Sequence, residues 1–170
     1  MNVKALYSLS YGVYILTTKD LERDTGCVVN SAMQITNAPE TIAVSVNHDN
    51  YTNSCIQKSG IFALSILAES SSPKLIGTFG FKSGKDYDKI ANSETTEVNG
   101  VRVITDASAY IICKVINSME TNTHTVFLGE IIDADELTGE KPMTYAYYHN
   151  VIKGKSPKNA PTYIAEIPKK

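Results

Sequence analysis

Two segments of strict two-residue alternation limit what this chain can fold into. Thr41-Ile42-Ala43-Val44-Ser45-Val46-Asn47 sets Ile42, Val44 and Val46 on one face and Thr41, Ala43 and Ser45 on the other. Ile61-Phe62-Ala63-Leu64-Ser65-Ile66-Leu67 repeats the pattern with Phe62, Leu64 and Ile66. Apolar side chains that recur every second residue share a face only on a strand, so both segments read as half-buried strands. Residues 11–18 are apolar and β-branched on both faces, which predicts a strand covered on both sides. Residues 27–36 read as one strand interrupted by Asn30, Ser31 and Gln34. Residues 109–117 and 123–132 read as a long antiparallel pair joined across 118–122. Asn99-Gly100 predicts a type I′ hairpin turn, whose two central residues must both reach positive φ.

Helical signals are short. Thr52 is placed to cap a helix over 53–59 that Gly60 ends, and Pro73 opens a second running toward Phe79. A third covers 143–151. At 170 residues the chain is expected to be a single domain, 1–170, with an extended, proline- and lysine-containing tail from about Lys153. Many strands and few helices predict a mainly β, closed or nearly closed antiparallel barrel with helical decoration, with an open sandwich as the alternative.

Charge and motifs remove several functions. Sixteen Lys+Arg against eighteen Asp+Glu leave a net charge of −2, which argues against nucleic-acid or acidic-membrane binding. Apolar stretches reach about six residues against the ~20 of a membrane helix, and the N-terminus lacks the pattern of a secretory signal. Cys27, Cys55 and Cys113 stand too far apart for a zinc or iron–sulfur motif and read as reduced thiols, so a cytoplasmic protein without a metal site is expected. No GxGxxG, Walker A, HExxH or nucleophile-elbow sequence is present.

Three polar segments stand out at strand ends. Asn30-Ser31-Ala32-Met33-Gln34 offers amides and hydroxyls that suit a ligand with alternating donors and acceptors; an exposed edge strand is the plainer alternative. Asn47-His48-Asp49-Asn50-Tyr51-Thr52 runs into a helix start, whose free N–H groups and dipole suit a phosphate; capping by Thr52 alone is the alternative. Phe79-Gly80-Phe81-Lys82-Ser83-Gly84-Lys85 combines glycines, lysines and aromatics as a phosphate loop would, or forms a solvated turn. His124 opens a strand where its imidazole either faces a pocket or is structural. Tyr145-Ala146-Tyr147-Tyr148-His149 suits an interface or a core.

In order along the chain, these segments resemble the flavin reductase-like family of FMN-binding split β-barrels. The residues that carry the likeness are Tyr11-Gly12-Val13-Tyr14, Asn30 through Thr36, Ile42 through Asn47, Ser59-Gly60-Ile61-Phe62, Ile76-Gly77-Thr78-Phe79-Gly80-Phe81, Thr123 through Glu130, Thr144 through His149, and Lys153-Gly154-Lys155-Ser156-Pro157. The resemblance implies an antiparallel Greek-key split β-barrel. It implies that FMN is bound by Asn30, Ser31, Ala32, Met33 and Gln34 along the ring and ribityl chain, and by Asn47, Asn50 and Thr52 toward the phosphate. Phe81, Lys82, Ser83 and Lys89 would complete these contacts, and His124 would lie by the exposed flavin face where a nicotinamide stacks. The implied activity is an NAD(P)H-dependent oxidoreductase passing electrons through FMN to flavin, ferric complexes or a protein acceptor, as a homodimer. An FMN electron carrier reduced by a protein donor, and a barrel that only binds, are the alternatives.

Overall fold

The computed structural model describes residues 2–21 and 23–163. Its strands are β1 (Tyr14–Thr18), β2 (Thr25–Val29), β3 (Ala32–Asn37), β4 (Glu40–Asn47), β5 (Ile61–Ile66), β6 (Thr95–Val98), β7 (Val101–Ile104), β8 (Ala109–Glu120) and β9 (His124–Glu136). Seven of them form one antiparallel sheet in the order β2-β1-β5-β8-β9-β4-β3. The β6–β7 hairpin lies beside it, turning at Asn99 (φ 47°) and Gly100 (φ 76°) as the Asn-Gly pair predicts. Helices α1 (Tyr51–Ser59), α2 (Pro73–Phe81) and α3 (Tyr145–Asn150) decorate the sheet. None of the helices among the described residues is long and apolar enough to cross a membrane.

The alternating segments pair as their period requires. Val44, on β4, pairs with Phe127 of β9, and Phe62, on β5, with Cys113 of β8; all four side chains point into the core with Leu16, Leu64 and Ile56. The split β-barrel expected from the resemblance is present, whereas the fully closed barrel is not: among the described residues no ladder joins the sheet's two edges. The reason lies at Asn30-Ser31. What reads in sequence as one strand over 27–36 is two, because the chain leaves β2 at one edge and re-enters as β3 at the other. A backbone bond anchors the crossing, from the Ser45 N–H to the Ser31 carbonyl at 3.0 Å.

Other boundaries shift. The β8–β9 turn is tighter than 118–122, since Glu120 and Thr125 already pair. Helix α1 begins at Tyr51, with Asn50 in the N-cap position and Gly60 (φ 67°) ending it. Thr52 is therefore inside the first turn and is not the cap. Asn53 ties α1 to the sheet, its Nδ2 donating to the Val46 carbonyl at 2.9 Å and to Thr125 Oγ1 at 3.0 Å. Of the predicted tail, residues 164–170 lie outside the described residues.

Cys27, Cys55 and Cys113 are free and buried. Burial pushes the Cys113 thiol up to about 12 and the Cys27 thiol up to about 11, the latter held back by the nearby Lys89 charge and the Thr52 hydroxyl. The native state thus keeps these protons to higher pH than the unfolded chain, whose thiols titrate near 9. Stability from these groups is complete below pH ~9. It is lost as the pH rises toward 12, by at most ~1.4 kcal/mol per thiol for each step of one in pH. Urea melts between pH 8 and 11 should show this fall, and Cys113→Ala should make it shallower.

Candidate functional site

The gap between the sheet's edges opens a cleft. Its walls come from β2 (Cys27, Val28, Val29), from Asn30 just beyond it, and from Ser45 and Asn47 of β4 with Asn50 after it. Phe79 and Gly80 of α2 and Tyr145 and Tyr148 of α3 face them. α3 is held in place because residues 142–145 pair with the chain beside β1: Val13 N–H donates to the Met143 carbonyl at 3.2 Å, and Tyr145 N–H to the Tyr11 carbonyl at 2.8 Å. Thr144 Oγ1 caps α3 by accepting from the Tyr147 N–H at 3.1 Å.

Three predicted amides therefore meet in this cleft: Asn30, Asn47 and Asn50. His124 neighbours one of them. It stands directly opposite Asn47 in the β4–β9 register, on the sheet face that also carries Ser45. Its Nδ1 lies 2.8 Å from Thr123 Oγ1, while its Nε2 is buried with no hydrogen-bond partner. Burial lowers the His124 pKa, the nearby Asn159 backbone partly offsets this, and the charge of His48 lowers it further, so the ring is neutral at pH 7. A neutral imidazole on the sheet face that carries Ser45 and Asn47 is a suitable partner for a ligand.

A second polar region adjoins the cleft at the start of α1. Asn50 makes no side-chain capping bond there, and of the first turn the Asn53 N–H is given to the Asn50 carbonyl at 2.9 Å, which leaves those of Tyr51 and Thr52 to face a ligand. The loop after α2 folds over Tyr51, placing Lys85 Nζ 5.8 Å from its ring. Arg23 pins this loop through the Gly84 and Lys85 carbonyls, at 3.2 and 2.6 Å. Under Gly84 the Thr25 hydroxyl is buried without a hydrogen-bond partner, and a Cβ on that glycine would fall 2.1 Å from it. Lys82 covers the Tyr87 ring at 3.6 Å, and Ser83 Oγ accepts from the Lys85 N–H at 3.2 Å. Predicted Lys82 and Ser83 thus lie in this exposed loop. Predicted Phe81 is the last residue of α2 and is exposed on an outer groove that continues the cleft.

Other predicted residues are placed differently. Met33 and Gln34 are exposed on the edge strand β3, and Ala32 is half-buried; none of them lines the cleft. The edge-strand alternative describes them, because the chain crosses to the far edge at Ser31, whose hydroxyl bonds Asn30 Oδ1 at 3.1 Å. Thr52 is buried behind the cleft against the Cys27 thiol. Lys89 is 3% exposed and donates to the carbonyls of Gly26 (2.7 Å) and Phe79 (3.1 Å). Its ammonium joins β2 to α2, and burial lowers its pKa. Missing from the predicted set were Gly80, Tyr145 and the segment Lys155–Pro161, which lines the cleft's outer side. Their signals in the sequence were the glycine- and lysine-containing segment 79–85, the aromatic cluster and the Lys-Ser-Pro run.

An open barrel with an amide-lined cleft at its split supplies hydrogen bonds and shape. Cys27, which lines it, is held protonated by burial and is a poor nucleophile. This is the frame of a protein whose chemistry resides in a bound cofactor. The model of the flavin reductase-like domain matches residues 6–155, and the chain belongs to that family. It is 44% identical over 166 residues to a high molecular weight rubredoxin of Moorella thermoacetica, covering 96% of this chain and 72% of that protein. It is 38% identical to the ferric-chelate reductase (NAD(P)H) of Archaeoglobus fulgidus, covering 96% and 98%. Among solved structures, the flavin reductase PheA2 superposes with a TM-score of 0.71 at 28% identity, covering 82% of this chain and 88% of that one.

Proposed function

We propose that this chain is an NAD(P)H-dependent oxidoreductase that holds FMN in the split of its barrel and passes electrons to flavin, ferric complexes or a protein acceptor. The observation that carries the reading is the meeting of Asn30, Asn47 and Asn50 at one cleft, with His124 opposite Asn47 in the sheet, in a member of a flavin-using family. Side-chain amides complement the alternating donors and acceptors along the polar edge of an isoalloxazine. Bound FMN supplies hydride acceptance from a nicotinamide and release of electrons singly or in pairs.

The chain's own residues bind and orient. Asn30 and Asn47 hold the ring edge, and neutral His124 offers Nε2 at the flavin face where the nicotinamide docks. Asn50 and the first turn of α1 hold the phosphate, helped by Lys82, Ser83 and Lys85; Thr25 Oγ1 and the backbone of Thr52 lie beside them. This built phosphate end favours FMN over riboflavin. Fluorescence titration with riboflavin, FMN and FAD should give at least ~10-fold tighter binding of FMN than of riboflavin, about 1.4 kcal/mol. Equal affinity for riboflavin and FMN would mean that no phosphate is held.

The longer relative named as a rubredoxin supports a protein as one acceptor. A homodimer is part of the reading. The register sets Met33, Ala43 and Leu128 in one row across β3, β4 and β9, and Ser45, Val126 and Met119 in the next. Met33 (66% exposed) and Met119 (60%) are large apolar groups in water, on the face that continues into the cleft at Ser45. A second copy seated there would cover the flavin. Three unbridged, buried thiols fit a cytoplasmic location.

A further inference from the structure

The segment Lys155–Thr162 is the outer wall of the cleft, and it is tied down by a chain of side-chain bonds. Gly154 passes so close to Tyr148 that a Cβ there would fall 2.0 Å from the ring, and Tyr148 OH donates to the Lys155 carbonyl at 3.1 Å. Ser156 Oγ bonds Tyr145 OH and lies 3.3 Å from His149 Nε2. Pro157 packs toward Gly80, and Asn159 lies by His124. The chain then doubles back: Thr162 Oγ1 donates to Tyr145 OH at 2.8 Å and accepts from Asn30 Nδ2 at 2.8 Å.

With the segment in this position the enclosed part of the cleft is about 40 Å³. That is room for a few water molecules, and not for a three-ring heterocycle. The amide assigned to the flavin edge is already spent on Thr162. We infer that residues 155–162 form a strap that competes with the flavin for Asn30 and the space beside it, so that flavin exchange is gated by release of this segment. The inference rests on the flavin reading above. A cofactor can enter only the fraction of molecules whose strap is open, which lowers apparent affinity by that fraction. The strap follows the strands and helices described above, so loosening it leaves the barrel's own pairings intact.

The test is stopped-flow fluorescence of FMN binding to the wild-type protein, Thr162→Val, and Ser156→Ala/Thr162→Val. In the wild type the observed rate should level off with rising FMN, at the rate of strap opening. Both variants should raise that plateau and tighten the apparent affinity by roughly 10-fold, in line with a strap open in about a tenth of molecules. Unchanged plateau and affinity in variants that bind FMN would overturn the strap alone. Absence of FMN binding in the wild type and both variants would overturn the flavin reading and the strap with it.

Discussion

Phe62→Ala is expected to lower the unfolding free energy by about 3–5 kcal/mol, the usual range for removing a fully buried aromatic ring. Phe62 is 0% exposed and points from β5 into the middle of the barrel. Its ring fills the space that Gly129 leaves on β9, where a Cβ would fall 2.9 Å from the ring and 2.6 Å from Cys113 Cβ. The fit is reciprocal and gives a second, sharper expectation. Gly129→Ala alone should destabilise by overpacking, and it should cost less in the Phe62→Ala background, where the clash with the ring is gone and only that with Cys113 Cβ remains. Urea denaturation of the four proteins measures both effects. A loss under ~1 kcal/mol for Phe62→Ala would mean that the two sheet halves do not close on this ring.

Gly80→Leu is expected to weaken FMN binding by more than ~10-fold, over 1.4 kcal/mol, while leaving the melting temperature near that of the wild type. Gly80 lies one residue from the end of α2 and lines the cleft. A Cβ there meets only Val28 and Pro157 at 3.6 Å, ordinary contact distances, so alanine fits and the longer leucine extends into the cleft itself. The helix gains from the substitution, since glycine is a poor helix former. Loss of binding without loss of fold therefore separates obstruction from unfolding. Fluorescence titration and thermal denaturation of the Ala and Leu variants give the comparison, and FMN affinity unchanged in Gly80→Leu would move the flavin elsewhere.

Local pattern and long-range closure were unequally legible in the sequence. The strands 41–47 and 61–67 and the Asn99-Gly100 turn follow from residue type and period alone, and they stand where expected. The break at Asn30-Ser31 was visible as polar residues in an apolar run. Its meaning, a crossing from one sheet edge to the other, depends on pairings with β1 and β4 that no local window contains. Met33 and Gln34 were assigned to the site by position beside Asn30, and the crossing carries them to the exposed edge. Lys89 shows a similar limit. The resemblance implied a cofactor contact for it, but this ammonium is spent on two backbone carbonyls within the fold. Thr52 looked like a cap because it precedes the helical pattern, and an earlier helix start put Asn50 there instead. That Asn30, Asn47 and Asn50 line one cleft was legible because strand ends and helix starts are readable. The strap was not, since the bond from Asn30 to Thr162 joins positions 132 residues apart.

The most direct measurement is the visible absorbance of the FMN-loaded protein under anaerobic conditions as NADH, then NADPH, is added. The account predicts that the yellow flavin band bleaches in proportion to added nucleotide with at least one of the two, and that the band returns when a ferric complex is supplied. A band that stays unchanged with both nucleotides would contradict it.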